Sequence, residues 1–211
     1  MSKEKIRAIR IIIAAAHILS GIFVPSYYPF VGFAILFTAT YMSLLPLDFK
    51  LMVLGTVYIF TIAMPWLGGK MVRRIYGWTH HQMHMQHHRA TAYVIKIICY
   101  ICCLHFCSSM NLPSFMGAII AVSLLVNCTC VIINFRYHIS AHSAGTGAII
   151  GALLAYTTIF TFNPLWWLCA AILLSGAVMS SRMLIHNHTL PQVLGGTAVG
   201  ILCGYIGIIL T

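Results

Sequence analysis

Residues 181–192 read SRMLIHNHTLPQ, and this polar stretch lies between two long apolar segments. A second polar cluster, residues 136–143, reads RYHISAHS. No Lys, Arg, Asp or Glu occurs between Tyr137 and Ser181, so the intervening segment can cross a bilayer and return. We therefore expect a transmembrane hairpin that brings both polar clusters to the same membrane face.

The composition indicates whether water or lipid surrounds the folded chain. Of its 211 residues, 61% are hydrophobic and 7% are charged, and the mean hydropathy is +0.95. A water-soluble domain of this size would have too little polar surface to cover its core. The sequence therefore predicts an integral multi-pass membrane protein, an all-α, polytopic transmembrane helix bundle that forms a single domain over residues 1–211.

The apolar runs give seven or eight segments. Residues 1–28 are interpreted as a retained basic and apolar anchor, which either spans with tilt or forms a half-membrane hairpin. Further spans are expected at residues 30–47, 51–67, 92–108, 113–134, 145–160, 165–180 and 193–210. Gly68 and Gly69 are expected to end the span at 51–67. In the last span, close helix packing is expected at Gly195, Gly196, Gly200 and Gly204.

The net charge of +10 would suggest nucleic acid as a partner of a soluble protein. Here the basic residues lie at segment ends and in loops, so phospholipid headgroups or an anionic substrate are expected instead. Lys96, one turn inside its span, is expected to extend to the interface, with a phosphate contact as the alternative. The sequence does not set an oligomeric state.

Glu4 and Asp48 are the only acidic residues. A Mg²⁺ or Ca²⁺ site needs several oxygen ligands, and glycoside hydrolysis needs a carboxylate pair, so both are excluded. A Ser-His-Asp triad through a buried aspartate is likewise excluded. Chemistry in this chain must use His, Arg, Lys, Ser and backbone amides, and no cofactor or metal is expected.

The eight cysteines all lie in apolar runs, where we expect buried, reduced thiols that pack as small hydrophobic groups. Residues 70–90 form the only long polar connection. On a helix, His80, His84 and His87 or His88 would share a face that suits metal capture. An interfacial loop is the preferred interpretation, because no carboxylate supports the histidines. A histidine-rich metal transporter remains an alternative.

The two polar clusters contain the groups that phosphate chemistry requires. Arg136 and Arg182 are expected on one membrane face, and the guanidinium fork suits phosphate oxygens. His142 and His188 can act as nucleophile, acid or base near neutral pH. Serine hydroxyls and helix N-terminal amides add neutral donors.

The segment Ser181-Arg182-x5-His188-x3-Gln192 resembles the third signature, SR-x5-H-x3-D, of the type 2 phosphatidic acid phosphatase (PAP2) superfamily. Residues 139–142, ISAH, resemble the second signature, PSGH. The resemblance covers residues 113–211. The first signature, K-x6-RP, is absent: Thr129 and Tyr137 stand at its lysine and proline positions, and Gln192 replaces the aspartate of the third.

The resemblance implies a core of six membrane helices and phosphoester hydrolysis without a metal. His188 would attack phosphorus and form a phosphohistidine, His142 would protonate the leaving oxygen, and Gln192 would orient the nucleophile. The groups expected to bind the phosphoryl oxygens are Arg182, Arg136, Ser140, Ser181 and the amide of Ala141.

The expected function is therefore hydrolysis of a phospholipid or isoprenoid (di)phosphate at the membrane interface. The alternative is a catalytically weakened PAP2 fold that binds phospholipid or a protein partner without turnover. The resemblance favours a bacterial inner membrane protein with its site on the outer, periplasmic face.

Overall fold

The structure, a computed structural model, describes residues 3–77, 86–110, 112–159 and 163–210. These residues contain helices and no strand. The α-helices are α1 (Lys3–Ile22), α2 (Tyr28–Ala39), α3 (Leu47–Tyr58), α4 (Met64–Tyr76), α5 (Gln86–Ser109), α6 (Ser114–Asn134), α7 (Ala141–Ile159), α8 (Leu165–Leu184) and α9 (Leu190–Ile209).

Six stretches of the described residues are long and apolar enough to cross a membrane. They are Arg10–Thr38, Leu47–Tyr76, Thr91–Ser109, Ser114–Asn134, Leu165–Leu184 and Leu190–Ile209. Helix α7 is not among them, because its first half consists mostly of small and polar residues. The predicted all-α, multi-pass class is confirmed.

Large apolar side chains cover the outer surfaces of these helices. On α8, Trp166 is 85% exposed and Leu173 is 74% exposed. Water would disfavour such surface by about 25 cal/mol per Å², whereas acyl chains solvate it. Cys102 and Cys169 are exposed in the same way, so the expected burial of all cysteines is wrong for these two. A thiol behaves as a small hydrophobic group, and lipid can surround it as well as protein can.

The span expected at residues 30–47 is interrupted at Thr40. The backbone there is extended, with φ −119° and ψ 179°, and the Thr40 Oγ1 accepts a hydrogen bond from the Met42 N–H. A 3-10 turn at Tyr41–Leu44 follows before α3 begins. Hydroxyl side chains compete with helical hydrogen bonds in this way, which an apolar run alone does not reveal.

The predicted helix end at Gly68 and Gly69 is wrong. The helix continues from α3 through a π-helical turn at Ile59–Ala63 into α4 and ends at Gly77, which has φ +64°. A C-terminal cap needs the left-handed backbone that glycine adopts easily. Gly68 instead permits close packing, because a Cβ there would lie 2.9 Å from the Ile95 Cγ2 on α5.

The helices form two compact groups. The first comprises the described residues of Met1–Pro25 and His138–Ile209, which include α1, α7, α8 and α9. The second, within Ser26–Tyr137, contains α2 to α6. The expected anchor is thus a helix that packs on α8 and buries Ala16 and Ser20. The signature-bearing segment predicted at 113–211 divides between the groups after α6.

The second group has a conventional hydrophobic core. Its members are large and come from α2, α3, α5 and α6 with the 3-10 turn before α3: Phe33, Phe37, Met42, Val53, Val57, Tyr100, Cys103, Cys107, Met116 and Ile120. Lys96 is half-buried on α5. Whether it extends to the interface or contacts phosphate stays a prediction.

The first group is built on close contact between α7 and α9. Gly196, Gly200 and Gly204 of α9 lie against the backbone of Ser140, Ala144 and Ala148 of α7. Both series advance in chain order, so the two helices are parallel. A Cβ at Gly200 would overlap the Ala144 carbonyl oxygen, which confirms the predicted small-residue packing at these three positions. Gly195 differs, because a Cβ there would make only ordinary contact with Ile139, at 3.9 Å.

Helix α8 returns antiparallel to α7 and α9. The Thr146 Oγ1 lies 3.1 Å from the Ser175 Oγ, and the Thr197 Oγ1 donates to the Met179 Sδ at 3.3 Å. These polar contacts link the three helices in a region of small side chains. As a result, the C-terminal end of α8 lies beside the N-terminal ends of α7 and α9.

Candidate functional site

Residues 138–143 of one polar cluster and residues 181–192 of the other meet at this end of the first helix group. The Ser140 N–H, just before α7, donates to the Gln192 carbonyl oxygen in the first turn of α9 at 3.3 Å. The helical hairpin expected between the clusters is therefore present as α7 and α8, while its crossing of a bilayer stays a prediction. Two parallel helix N-termini, each with a partial positive charge, lie side by side and favour an anion.

His188 is held by Gln192, one turn further on. The His188 Nδ1 lies 3.2 Å from the Gln192 Oε1, and the Thr189 N–H donates to the same atom at 3.1 Å. Because a backbone N–H can only donate, the shared atom is an acceptor oxygen. The His188 Nδ1 must therefore carry the proton in this hydrogen bond, and in the neutral ring Nε2 keeps its lone pair.

Gln192 also has a structural role that the sequence analysis missed. Thr189 is the N-cap residue of α9, since its carbonyl accepts from the Val193 N–H at 3.2 Å. A glutamine three residues after a threonine N-cap, accepting from the N-cap N–H, is half of a capping box. The sequence signal was present in Thr189-x-x-Gln192, but the family resemblance assigned this glutamine to the nucleophile alone.

The turn before His188 is a Schellman motif. The Asn187 N–H donates to the Arg182 carbonyl at 3.2 Å, and the His186 N–H donates to the Met183 carbonyl at 2.9 Å. His186 has φ 56°, the one positive φ outside glycine among the described residues. This left-handed position usually holds glycine, so the sequence gives no sign that α8 ends here. The motif places Asn187 and His188 beside the last turn of α8.

The Arg182 guanidinium is oriented from two sides. Its Nη1 donates to the Ser20 Oγ of α1 at 2.8 Å, and Ser20 is buried. With the Asn187 amide oxygen turned toward the guanidinium, Nη1 and Nη2 both donate to it at 3.3 Å. Both acceptors are neutral, so they orient Arg182 without cancelling its charge. Ser20 was not among the predicted site residues, because no pattern links it to position 182.

The residues of the second cluster form the start of α7. Ser140 is its N-cap: the Ser140 Oγ accepts from the Ser143 N–H at 3.4 Å, and the residue is fully buried. Ala141 is the first helical residue and needs no positive φ, so alanine fits where the related signature has glycine. His142 is half-buried in the first turn.

The two predicted serine contacts differ from the other predicted phosphate contacts in burial. The Ser181 Oγ donates to the Val178 carbonyl of its own helix at 2.7 Å, and Ser181 is 2% exposed. Like the Ser140 hydroxyl, it serves local backbone structure. Contact of either hydroxyl with phosphate stays a prediction. The Ser181 O–H would have to leave the Val178 carbonyl, whereas the Ser140 Oγ only accepts in its bond from the Ser143 N–H.

Arg136 is exposed and follows α6, in the second helix group. Its predicted phosphate contact stays a prediction. The predicted histidine loop falls on residues 78–85 and on the side chains of 86–90, which lie outside the described part of the chain. Among the residues that are described, no group of three or more His, Cys, Asp or Glu side chains is arranged to hold a metal.

One contact joins the two clusters directly. The imidazole rings of His138 and His188 are stacked, with centroids 4.8 Å apart and planes inclined by 21°. The site thus combines a fixed imidazole, a second imidazole, an oriented guanidinium and two helix N-termini. These groups suit a phosphate-sized anion at the membrane surface. Comparisons with models of known families, with curated proteins and with solved structures found no match for this chain.

Proposed function

We propose that this protein is a metal-independent phosphatase that hydrolyses a lipid phosphate or diphosphate through a phosphohistidine. The observation that supports this most is the fixed tautomer of His188. Its Nδ1 proton is held by the Gln192 Oε1, so Nε2 is the nitrogen that carries the lone pair in the neutral ring, and we assign the attack on phosphorus to it.

In the first step, the His188 Nε2 forms a bond to phosphorus while the bond from phosphorus to the leaving oxygen breaks. His142 gives its proton to that oxygen, so an alcohol, or a monophosphate from a diphosphate, departs. In the second step, water attacks phosphorus and His142 accepts a proton from it. The nitrogen–phosphorus bond breaks, and inorganic phosphate leaves with His188 and His142 restored.

Charge stabilisation comes from the chain itself. Arg182 supplies a permanent cation, and the N-termini of α7 and α9 supply backbone dipoles for the equatorial phosphoryl oxygens. Groups oriented before the reaction need little reorganisation during it. In this proposal no metal takes part.

A second candidate is supported by three features of the same site. Gln192 is neutral, it already caps α9, and the Ser181 O–H donates to the Val178 carbonyl of its own helix. A site with weak activation of its nucleophile suits a PAP2-like protein that binds phospholipid, or a protein partner, without turnover.

The proposed substrate is a membrane lipid, because the site lies at the ends of apolar helices that acyl chains can reach. We place the protein in a bacterial inner membrane with the site on its outer face. Labelling a cysteine introduced at Asn187 with an impermeant reagent in intact cells tests this placement. Labelling that requires permeabilised cells would contradict it.

The function is tested by phosphate release from purified protein with phosphatidic acid, phosphatidylglycerophosphate, prenyl diphosphates and lipid A. His188→Ala is the inactive variant, and His105→Ala is its matched control, because His105 is an exposed imidazole on α5. We expect release that His188→Ala abolishes and His105→Ala preserves. Binding of a lipid without release, in all proteins alike, would favour the second candidate.

A further inference from the structure

His138 lies in contact with the proposed nucleophile. Its ring stacks on that of His188 at a centroid distance of 4.8 Å. The position is fixed by its neighbours, since Ile139 is 3% exposed and the Ser140 N–H is bonded to the Gln192 carbonyl. The stack is therefore tied to the junction of α7 and α9.

The protonation of one ring in a stacked imidazole pair affects the protonation of the other. Two imidazolium rings at this distance repel each other, so a proton on one disfavours a proton on the other. Gln192 is neutral and adds no charge that would favour imidazolium at His188. When the pair holds a single proton, its residence on His138 leaves His188 neutral.

In the proposed mechanism Arg182 and the protonated His142 both supply positive charge at first, but His142 loses its charge when it gives its proton to the leaving oxygen. A phosphate monoester carries about −1.5 to −2 charges at pH 7. Among the described residues, the charged or titratable groups in this part of the first helix group include Arg182, His142 and His186, and His17 lies one turn before Ser20 on α1. The other groups of α1 and α9 that contact the site residues are neutral: Ser20, Thr189 and Gln192.

We infer that His138 is a phosphate-binding residue whose positive charge stays beside that of Arg182 after His142 has given up its proton, and that it keeps the stacked His188 neutral. This inference rests on the proposed function and extends it to substrate binding. One ring of the pair then serves as the cation and the other as the nucleophile. Substrate binding is expected to weaken as pH rises and His138 loses its proton.

The test compares two variants that keep a planar group against His188. His138→Phe keeps a stacked ring without charge, whereas His138→Arg supplies a permanent cation that also stacks on ring faces. Binding of inorganic phosphate to the full-length protein is measured between pH 5.5 and 9 by perturbation of histidine NMR signals. Hydrolysis of the best substrate in the lipid panel is measured in parallel.

We expect phosphate to bind wild-type protein more weakly as pH rises, and His138→Arg to reduce that pH dependence. His138→Phe should weaken phosphate binding and lower kcat/KM about 10- to 100-fold, the value of a hydrogen bond to a charged group. Equal binding by the Phe and Arg variants would overturn the inference. If His138→Phe fails to fold, a pH dependence of binding unchanged in His138→Arg would overturn it.

The two readouts separate this inference from the proposed function. If no lipid is hydrolysed but phosphate binding depends on charge at position 138, the enzymatic function fails and the inference about binding stands. If hydrolysis occurs and neither variant changes phosphate binding or KM, the inference fails and the proposed function stands.

Discussion

Gln192 is the residue at which the structure makes the sharpest prediction. The Gln192 Oε1 accepts from both the His188 Nδ1 and the Thr189 N–H. Gln192→Leu removes both bonds without a large change in volume. Each neutral hydrogen bond contributes about 1 kcal/mol, and loss of a cap costs about 0.5–2 kcal/mol. We therefore expect a lower unfolding midpoint and, since His188 loses its fixed tautomer, kcat/KM lower by about 5- to 30-fold.

Gln192→Glu is the matched charged variant, because it has the same length. A carboxylate 3.2 Å from the His188 Nδ1 favours imidazolium by about 1.3 kcal/mol even at the dielectric constant of water. The acid limb of the pH–rate profile should move upward by about one pH unit, because the nucleophile must be neutral. Gln192→Asp supplies the aspartate of the PAP2 signature that this segment resembles, but its carboxylate ends about 1.5 Å short. We expect activity to be highest in Gln192→Glu, lower in Gln192→Asp and lowest in Gln192→Leu.

The assay is the pH dependence of kcat/KM for each variant, with the unfolding midpoint in detergent as the control for capping. If Gln192→Leu lowered the unfolding midpoint but kept wild-type kcat/KM and pH profile, Gln192 would be a cap alone. The reasoning about the His188 tautomer would then be refuted.

Three further predictions concern stability and metal. In an SDS unfolding titration, Gly200→Ala should destabilise the protein by about 1–3 kcal/mol, because its Cβ would meet the Ala144 carbonyl. Gly176→Ala should be neutral or stabilising in the same titration, because an added Cβ there meets no neighbouring atom within 4 Å. Ser140→Ala should lower stability by about 1 kcal/mol through loss of the α7 cap, whereas Ser143→Ala should not, since the Ser143 Oγ is buried without a hydrogen-bond partner among the described residues; equal losses would contradict the capping assignment. Activity should survive EDTA, and restoration only by added Mg²⁺ would refute the proposed mechanism.

Most of the fold was predictable, because the apolar segments that can cross a bilayer are recognised by their length in the sequence. Apolar length located α5, α6, α8 and α9, and the absence of charge between Tyr137 and Ser181 predicted that the polar clusters would meet. The helix ends that were not predicted correctly depend on the backbone conformation of single residues. Thr40 interrupts an apolar run through its hydroxyl, and Gly77 rather than Gly68 ends a helix, because only one of them needs a positive φ.

The site was predictable in its residue types but not in its contacts. Ser20 approaches Arg182 across 162 positions, a distance in sequence that no local pattern can bridge. The stack of His138 on His188 likewise follows from the junction of α7 and α9. The Schellman turn was hidden because His186 occupies the position where glycine is the usual signal.

The roles of the two key histidines can be distinguished by leaving group. His142→Ala should be strongly impaired on an alkyl lipid phosphate, because general acid assistance is typically worth ~10²–10⁴-fold. The leaving oxygen of an aryl phosphate needs little protonation, so hydrolysis of an aryl phosphate by His142→Ala should be partly rescued. If the second step still needs His142 as base, this variant should accumulate phosphoenzyme.

The most direct measurement is capture of that phosphoenzyme. Protein mixed with ³²P-labelled substrate is quenched in base, which preserves phosphohistidine, and the labelled residue is identified after proteolysis. We predict acid-labile label on His188 in wild type, more label in His142→Ala with aryl phosphate, and none in His188→Ala. Turnover by wild type with no protein-bound phosphate, or with label retained in His188→Ala, would contradict the account.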